Sequence, residues 1–145
     1  MTIAQRRAAA GTVRTQPIAT SDDVVRARQL ARALAVECEL SLVEQTKLVT
    51  AASELARNTL VHGGGGRMDG EVVGSADRPG GRGVRLSFTD SGPGIPDTGL
   101  ALRDGWSSGT GMGLGLSGAR RLTDEFELDT AAGRGTTVTV VKWTH

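Results

Sequence analysis

The chain has 145 residues, 38% of them hydrophobic and 23% charged, and a formal net charge of +1. That length can bury one real core, and the composition excludes an intrinsically disordered chain, a general attraction to nucleic acid and a bilayer-spanning segment. With two Trp, two Phe and no Tyr, the core must be aliphatic, and stacking platforms for single-stranded nucleic acid are lacking. No charged-then-apolar leader opens the sequence, so a cytoplasmic protein free of membrane and nucleic acid is expected. The single cysteine, Cys38, cannot form an internal disulfide and reads as a packing residue among Ala35, Val36 and Leu40.

Residues 1–11 carry no pattern and read as a flexible tail, leaving residues 12–145 as a single domain. Thr12 to Ile18 alternates like an edge strand, with Pro17 near its end. Ser21 or Asp22 is expected to cap a first helix with the apolar stripe Val24, Ala27, Ala31 and Leu34; the arginines at 26, 28 and 32 lie mostly off it. From Ser41 to His62 there is no Gly or Pro, and Ser41 with Glu44 makes a capping box. Leu48, Ala52, Leu55 and Thr59 give this second helix its core face. Glu54, Asn58 and His62 stack on a neighbouring face, four residues apart. Such a row is often only a solvated helix face. Beside a triphosphate, however, an amide oxygen at Asn58 can help hold Mg²⁺, and Glu54 can accept a proton from an attacking hydroxyl or orient a water. His62 reads as a helix-end or packing residue. Gly63 to Gly66 ends the helix.

Gly70 to Ala76 and Gly83 to Thr89 are expected to form a hairpin around a turn at residues 77–82. Val84, Leu86 and Phe88 alternate with Arg85, Ser87 and Thr89, the pattern of a sheet with one covered face. Asp90 then falls at a strand end, before Gly92 and Gly94. It suits either a plain turn or a carboxylate that accepts from an adenine amino group. Residues 95–110, with one aromatic, Trp106, surround a possible short helix over 97–103. From Gly109 to Gly115 every second residue is Gly, so the backbone can lie against phosphate oxygens at the start of a helix running to about Asp124. The plain alternative is a flexible connector. A P-loop is excluded, because neither Lys47 nor Lys142 follows a glycine. The G-x-G-x-x-G match from Gly113 to Gly118 follows loop residues 104–108 and lacks the strand of a dinucleotide fold. Strands over Glu125–Thr130 and Thr136–Trp143, with a turn at Gly133-Arg134-Gly135, complete the chain.

Glu54-Leu55-Ala56-Arg57-Asn58, Asp90-Ser91-Gly92-Pro93-Gly94, the run Gly109 to Gly115 and Gly133-Arg134-Gly135-Thr136-Thr137 occur in the order of the N box, the two glycine boxes and the closing threonine element of the GHKL ATPase/kinase superfamily. The chain resembles that superfamily, and within it the stressosome switch serine/threonine kinases. The resemblance implies a two-layer α/β sandwich of the Bergerat type, with a mixed sheet covered by helices on one face. It implies ATP and Mg²⁺ as cofactors, Glu54 as catalytic base, Asn58 as the residue that holds Mg²⁺, and Asp90 as the adenine reader. Gly92 and Gly94 would lie along the base, and Gly109, Thr110, Gly111, Met112, Gly113, Leu114 and Gly115 along the phosphates. Thr137 would close the adenine side, and residues 95–110 would form a short ATP lid. The partners implied are STAS-domain proteins, as substrate and scaffold, and a downstream phosphatase or other effector. An anti-sigma factor kinase, a non-catalytic ATP-sensing module and a soluble hydrolase share the same motifs. A detached histidine-kinase domain fits less well, since little precedes the first strand.

Overall fold

The computed structural model describes residues 12–94 and 115–144; the expected tail, lid and phosphate loop up to Leu114 lie outside these residues. The elements are β1 (Arg14–Ile18), α1 (Ser21–Glu37), α2 (Leu42–Val61), β2 (Gly66–Gly74), β3 (Arg82–Asp90), α3 (Leu116–Leu122), β4 (Glu125–Thr130) and β5 (Thr136–Trp143). They build two layers, a five-stranded sheet in the order β1-β2-β3-β5-β4 and the helices on one face of it. Every described ladder is antiparallel, where a mixed sheet is expected from the resemblance. The reason is local. The connection from β3 to β4 passes over one strand position, and the β4–β5 hairpin returns β5 into the gap.

The helices form where the sequence places them, with one change at a cap. α2 begins on Ser41, whose hydroxyl accepts from the Glu44 N–H at 3.2 Å while Glu44 accepts from the Ser41 N–H. α1 begins one residue before the expected cap. Thr20 is the N-cap, its hydroxyl accepting from the Asp23 N–H, and the Asp23 carboxylate accepts from the N–H groups of Ala19 at 2.9 Å and Thr20 at 3.2 Å. These bonds hold the Asp23 carboxyl below its ordinary range. Small side chains let the helices pack closely on each other and on the sheet: Ala27, Ala31, Ala35, Ala51, Ala52 and Ala56 are all fully buried.

Leu34, Leu48 and Leu55 meet Met68, Leu86, Phe88, Val138 and Val140 in one aliphatic core. Leu34 sits directly over Gly70, where a Cβ would come within 2.6 Å of its Cδ1. Truncating a buried leucine such as Leu86 costs about 2–5 kcal/mol. The opposite face of the sheet mixes a small apolar cluster of Val73, Val141 and Trp143 with polar pairs. There Arg85 donates to Glu71 at 3.2 Å, and Ser87 and Thr139 share a 3.1 Å hydrogen bond.

Several boundaries differ from expectation, and two have a visible cause. β2 starts at Gly66 instead of Gly70, because its ladder with β3 runs from Gly66↔Asp90 to Gly74↔Arg82. A Cβ on Gly66 would fall 1.9 Å from the Thr89 carbonyl oxygen, so that glycine serves strand pairing. α3 ends at Leu122, short of Asp124. Asp124 instead pairs with Lys142 at 3.2 Å and accepts from the Trp143 N–H at 2.7 Å, tying the start of β4 to the end of β5.

Candidate active site

α2 carries the two chemical side chains. Glu54 is exposed and Asn58, one turn on, is 7% exposed. The Asn58 carbonyl accepts from the N–H groups of His62 at 2.9 Å and Gly63 at 3.2 Å, so the last turn of α2 is closed around it. Its side-chain Oδ1 is buried and has no hydrogen-bond partner among the described residues. An acceptor left so costs about 1–3 kcal/mol, which folding tolerates where function uses the group. His62 ends the helix half-buried, and that burial depresses its imidazole below the ordinary range.

The last glycine of the alternating run comes to the same place. Gly115 is the N-cap of α3, at φ +72, and a Cβ there would lie 2.7 Å from Glu54 Oε2. Leu116 and Ala119 of α3 are fully buried in the core and fix this approach. The carboxylate of Glu54 therefore stands directly beside the point where the glycine run enters α3.

Asp90 forms the other end of the site. It closes β3, and its Oδ1 accepts from the Gly92 N–H at 2.9 Å. Burial pushes its carboxyl above the ordinary range, against the opposing N–H groups of Gly92 and Thr136. Glycines crowd around it. A Cβ on Gly63 would lie 2.3 Å from Asp90 Cγ, one on Gly92 would lie 2.8 Å from the Gly63 Cα, and one on Gly135 would lie 2.2 Å from the Asp90 carbonyl oxygen. Gly94, at φ +76, packs on the Ala131 carbonyl of the β4–β5 turn, where the Gly133 N–H donates to Pro93 at 2.6 Å. The end of α2, the end of β3 and the β4–β5 turn thus meet around one half-buried carboxylate.

Thr137 does not belong to this group. Side chains directly opposite in a ladder share a face, and the register pairs Asp90 with Thr136 and Thr89 with Thr137. Thr137 points to the face away from the helices, with its hydroxyl 3.5 Å from that of Thr89, and lines a polar cleft of about 210 Å³ with Asp129 and Arg134. Thr136, buried and sharing a 2.9 Å hydrogen bond with Thr130, stands beside Asp90 instead. Strand parity carries the signal for this: Val138 and Val140 must face the core, which sends Thr136 the same way.

Asn58 and Asp90 are brought to one end of the helix layer, with Gly92 against Asp90, Gly94 against the β4–β5 turn and Gly115 against Glu54; Gly109 to Leu114 lie outside the described residues. Residues 43–144 match the family described as histidine kinase-, DNA gyrase B- and HSP90-like ATPases. The chain belongs to this family. Among members of the family, it is 45% identical over 126 residues to the serine/threonine-protein kinase RsbT of Bacillus subtilis (strain 168), an alignment covering 87% of this chain and 92% of that relative. A crystal structure of the RsbU and RsbW domains of a Mycobacterium tuberculosis protein contains a similar fold. That crystal structure aligns with a TM-score of 0.59 and 20% identity over 91% of this chain and 32% of the other, a likeness in fold.

The described residues fit the group that this ATPase family binds. A buried amide oxygen without a partner suits a hard cation that takes one protein oxygen and completes its shell with phosphates and water. No cluster of three or more Asp, Glu, His or Cys is present among the described residues to hold a metal by itself. No described helix is long and apolar enough to cross a membrane.

Proposed function

We propose that the chain is an ATP- and Mg²⁺-dependent serine/threonine protein kinase of a cytoplasmic partner-switching system, with STAS-domain proteins as its substrates. The observation that carries this reading is the pairing, one helical turn apart, of the exposed carboxylate of Glu54 with the buried Oδ1 of Asn58, which has no hydrogen-bond partner among the described residues. An ATPase that only hydrolyses needs to place a water. A kinase needs its base open to another protein's side chain, and Glu54 is open.

Bound Mg²⁺-ATP would supply the phosphoryl group and the charge neutralisation its transfer needs. Asn58 offers Oδ1 to the cation. Asp90 would accept from the exocyclic amine of the base, and Gly63, Gly92 and Gly135 let the surrounding backbone come close to its carboxylate. Glu54 receives the proton of the acceptor hydroxyl, and its contact with Gly115 keeps it beside the phosphate-binding turn. Identity to RsbT supports the kinase assignment and the class of partner. By the same reading, the kinase released from its STAS partners goes on to bind an effector such as a phosphatase.

The test is incubation with Mg²⁺-ATP and purified STAS-domain proteins of the source organism, read by the intact mass of each. One added phosphate, absent with Glu54→Ala, supports the kinase. Asp90-dependent ATP binding without transfer to any of them would leave a nucleotide-sensing module in its place.

A further inference from the structure

The outer surface of the helix layer holds features that the chemistry above does not use. Val36, Leu42 and Val43 are 58%, 72% and 65% exposed, at the tip where the last turn of α1 meets the first turn of α2. Behind this tip Arg28, Arg32 and Lys47 are exposed, and none of the three makes an ion pair among the described residues. The helices run as a hairpin, so Arg32 and Lys47 sit at similar heights, each one turn in from Val36 and Val43.

The neighbouring acids cap helices or are ion-paired, with Glu39 at the tip still 84% exposed. Asp23 caps α1 and pairs with Arg26, Glu37 pairs with Arg14, Glu39 pairs with Arg82, and Glu44 caps α2. Of the acids on these two helix ends, Asp22, in the first turn of α1, stands apart. The face is therefore cationic behind an apolar tip, although the chain as a whole is nearly neutral. Isolated exposed cations mean little. Unpaired cations of one sign behind clustered exposed aliphatics match the anatomy of an interface with an oppositely charged partner. The face also leads to the reaction centre. Glu54 lies eleven residues along α2 from Val43, about 17 Å at the helical rise.

We infer that the outer face of α1 and the N-terminal half of α2 is the docking surface for the phosphoacceptor protein. The partner meets it with a short apolar ridge over Val36, Leu42 and Val43 and with carboxylates opposite Arg28, Arg32 and Lys47. This assignment rests on the kinase reading above. A strip of this size suits a weak, transient encounter, as an enzyme that must release its product requires.

The experiment titrates the full chain with each purified STAS-domain protein by calorimetry and maps amide exchange in the complex. Wild type is compared with Arg28→Glu/Arg32→Glu and, separately, Leu42→Ser. All three residues are exposed, and unchanged ATP affinity verifies the fold of each variant. The expected result is protection along residues 25–47, binding weakened about tenfold or more in both variants, and a steep loss of wild-type affinity with salt. Variants that bind and are turned over like wild type, or protection on another face, overturn the docking assignment and leave the kinase standing. Failure of every STAS-domain protein both to bind wild type and to accept phosphate overturns the partner class and this surface together.

Discussion

Glu54 and Gly115, far apart in sequence, are in direct contact: the glycine leaves open the volume in which a Cβ would stand 2.7 Å from Glu54 Oε2. The contact joins the helix that bears the proposed base to the turn that ends the glycine run. Gly115→Ala should therefore act twice. Its left-handed backbone costs about 1–2 kcal/mol with a side chain present, and the new methyl displaces the Glu54 carboxylate, which is flexible enough to move aside. Thermal melts should show the modest loss of stability. Single-turnover phosphoryl transfer should fall much further than ATP affinity does.

Asn58 separates a functional from a structural amide. Its buried Oδ1 has no partner among the described residues, so Asn58→Leu removes a desolvated acceptor and leaves nothing new unpaired at that atom. Without nucleotide, the variant should melt at the wild-type temperature or higher. With Mg²⁺-ATP, the stabilisation seen in wild type should vanish. A lower melting temperature without nucleotide would show that the side chain serves the fold.

Asp90 gives a pH test with a definite sign. Burial raises its carboxyl above the ordinary 3.8, so the fold favours the protonated form. That contribution is complete below 3.8 and is lost as pH rises through the higher folded value. Asp90→Asn should accordingly be more stable than wild type at neutral pH, with the difference closing in acid, while its ATP affinity drops. Asp23 runs the other way. Its lowered carboxyl stabilises the fold above the ordinary value and ceases to do so as the solution is acidified through the folded one. Melts of wild type and Asp90→Asn over an acid-to-neutral series measure the first effect.

Two glycines should respond oppositely to alanine. Gly118 lies within α3, and nothing comes within 4 Å of the place a methyl group would take. Gly118→Ala should stabilise by about 0.5–1 kcal/mol through helix propensity. Gly135 has φ +79, and its Cβ would overlap the Asp90 carbonyl at 2.2 Å. Gly135→Ala should destabilise by about 2 kcal/mol or more. Urea unfolding of both variants checks the pair.

Local chemistry makes much of the molecule legible from sequence. The Ser41–Glu44 box, the Leu48–Ala52–Leu55 stripe and the alternation of Val84, Leu86 and Phe88 each express a single period or cap. The structure follows all three. What is not legible depends on the partner of a residue. Thr20 is hidden as a cap because Ser21 and Asp22 are equally good ones, and the reach of the Asp23 carboxylate decides among them. Gly66 reads as a helix stop because four glycines in a row conceal that the last one pairs across from Asp90. Thr136 and Thr137 are the same residue type side by side, and only the register of β5 on β3 tells them apart. Within the candidate site, spacing along α2 is enough to place Glu54 and Asn58 one turn apart on the same helix. The contacts of Gly63 and Gly135 with Asp90 join separate elements and leave no local trace.

The strand order has a bearing on how the molecule is made. β5 is the last described strand to leave the ribosome, yet it lies between β3 and β4 and is the only described neighbour of β4. Until it emerges, the helix hairpin and the β1-β2-β3 sheet can assemble, but β4 has no strand to pair with and Asp90 has no Thr136 beside it. Such late, long-range pairing is slow and exposes strand edges meanwhile. A nascent chain would thus hold a half-built sheet with the Asp90 carboxylate open on one side, and the pocket around it would close only once β5 has joined the sheet.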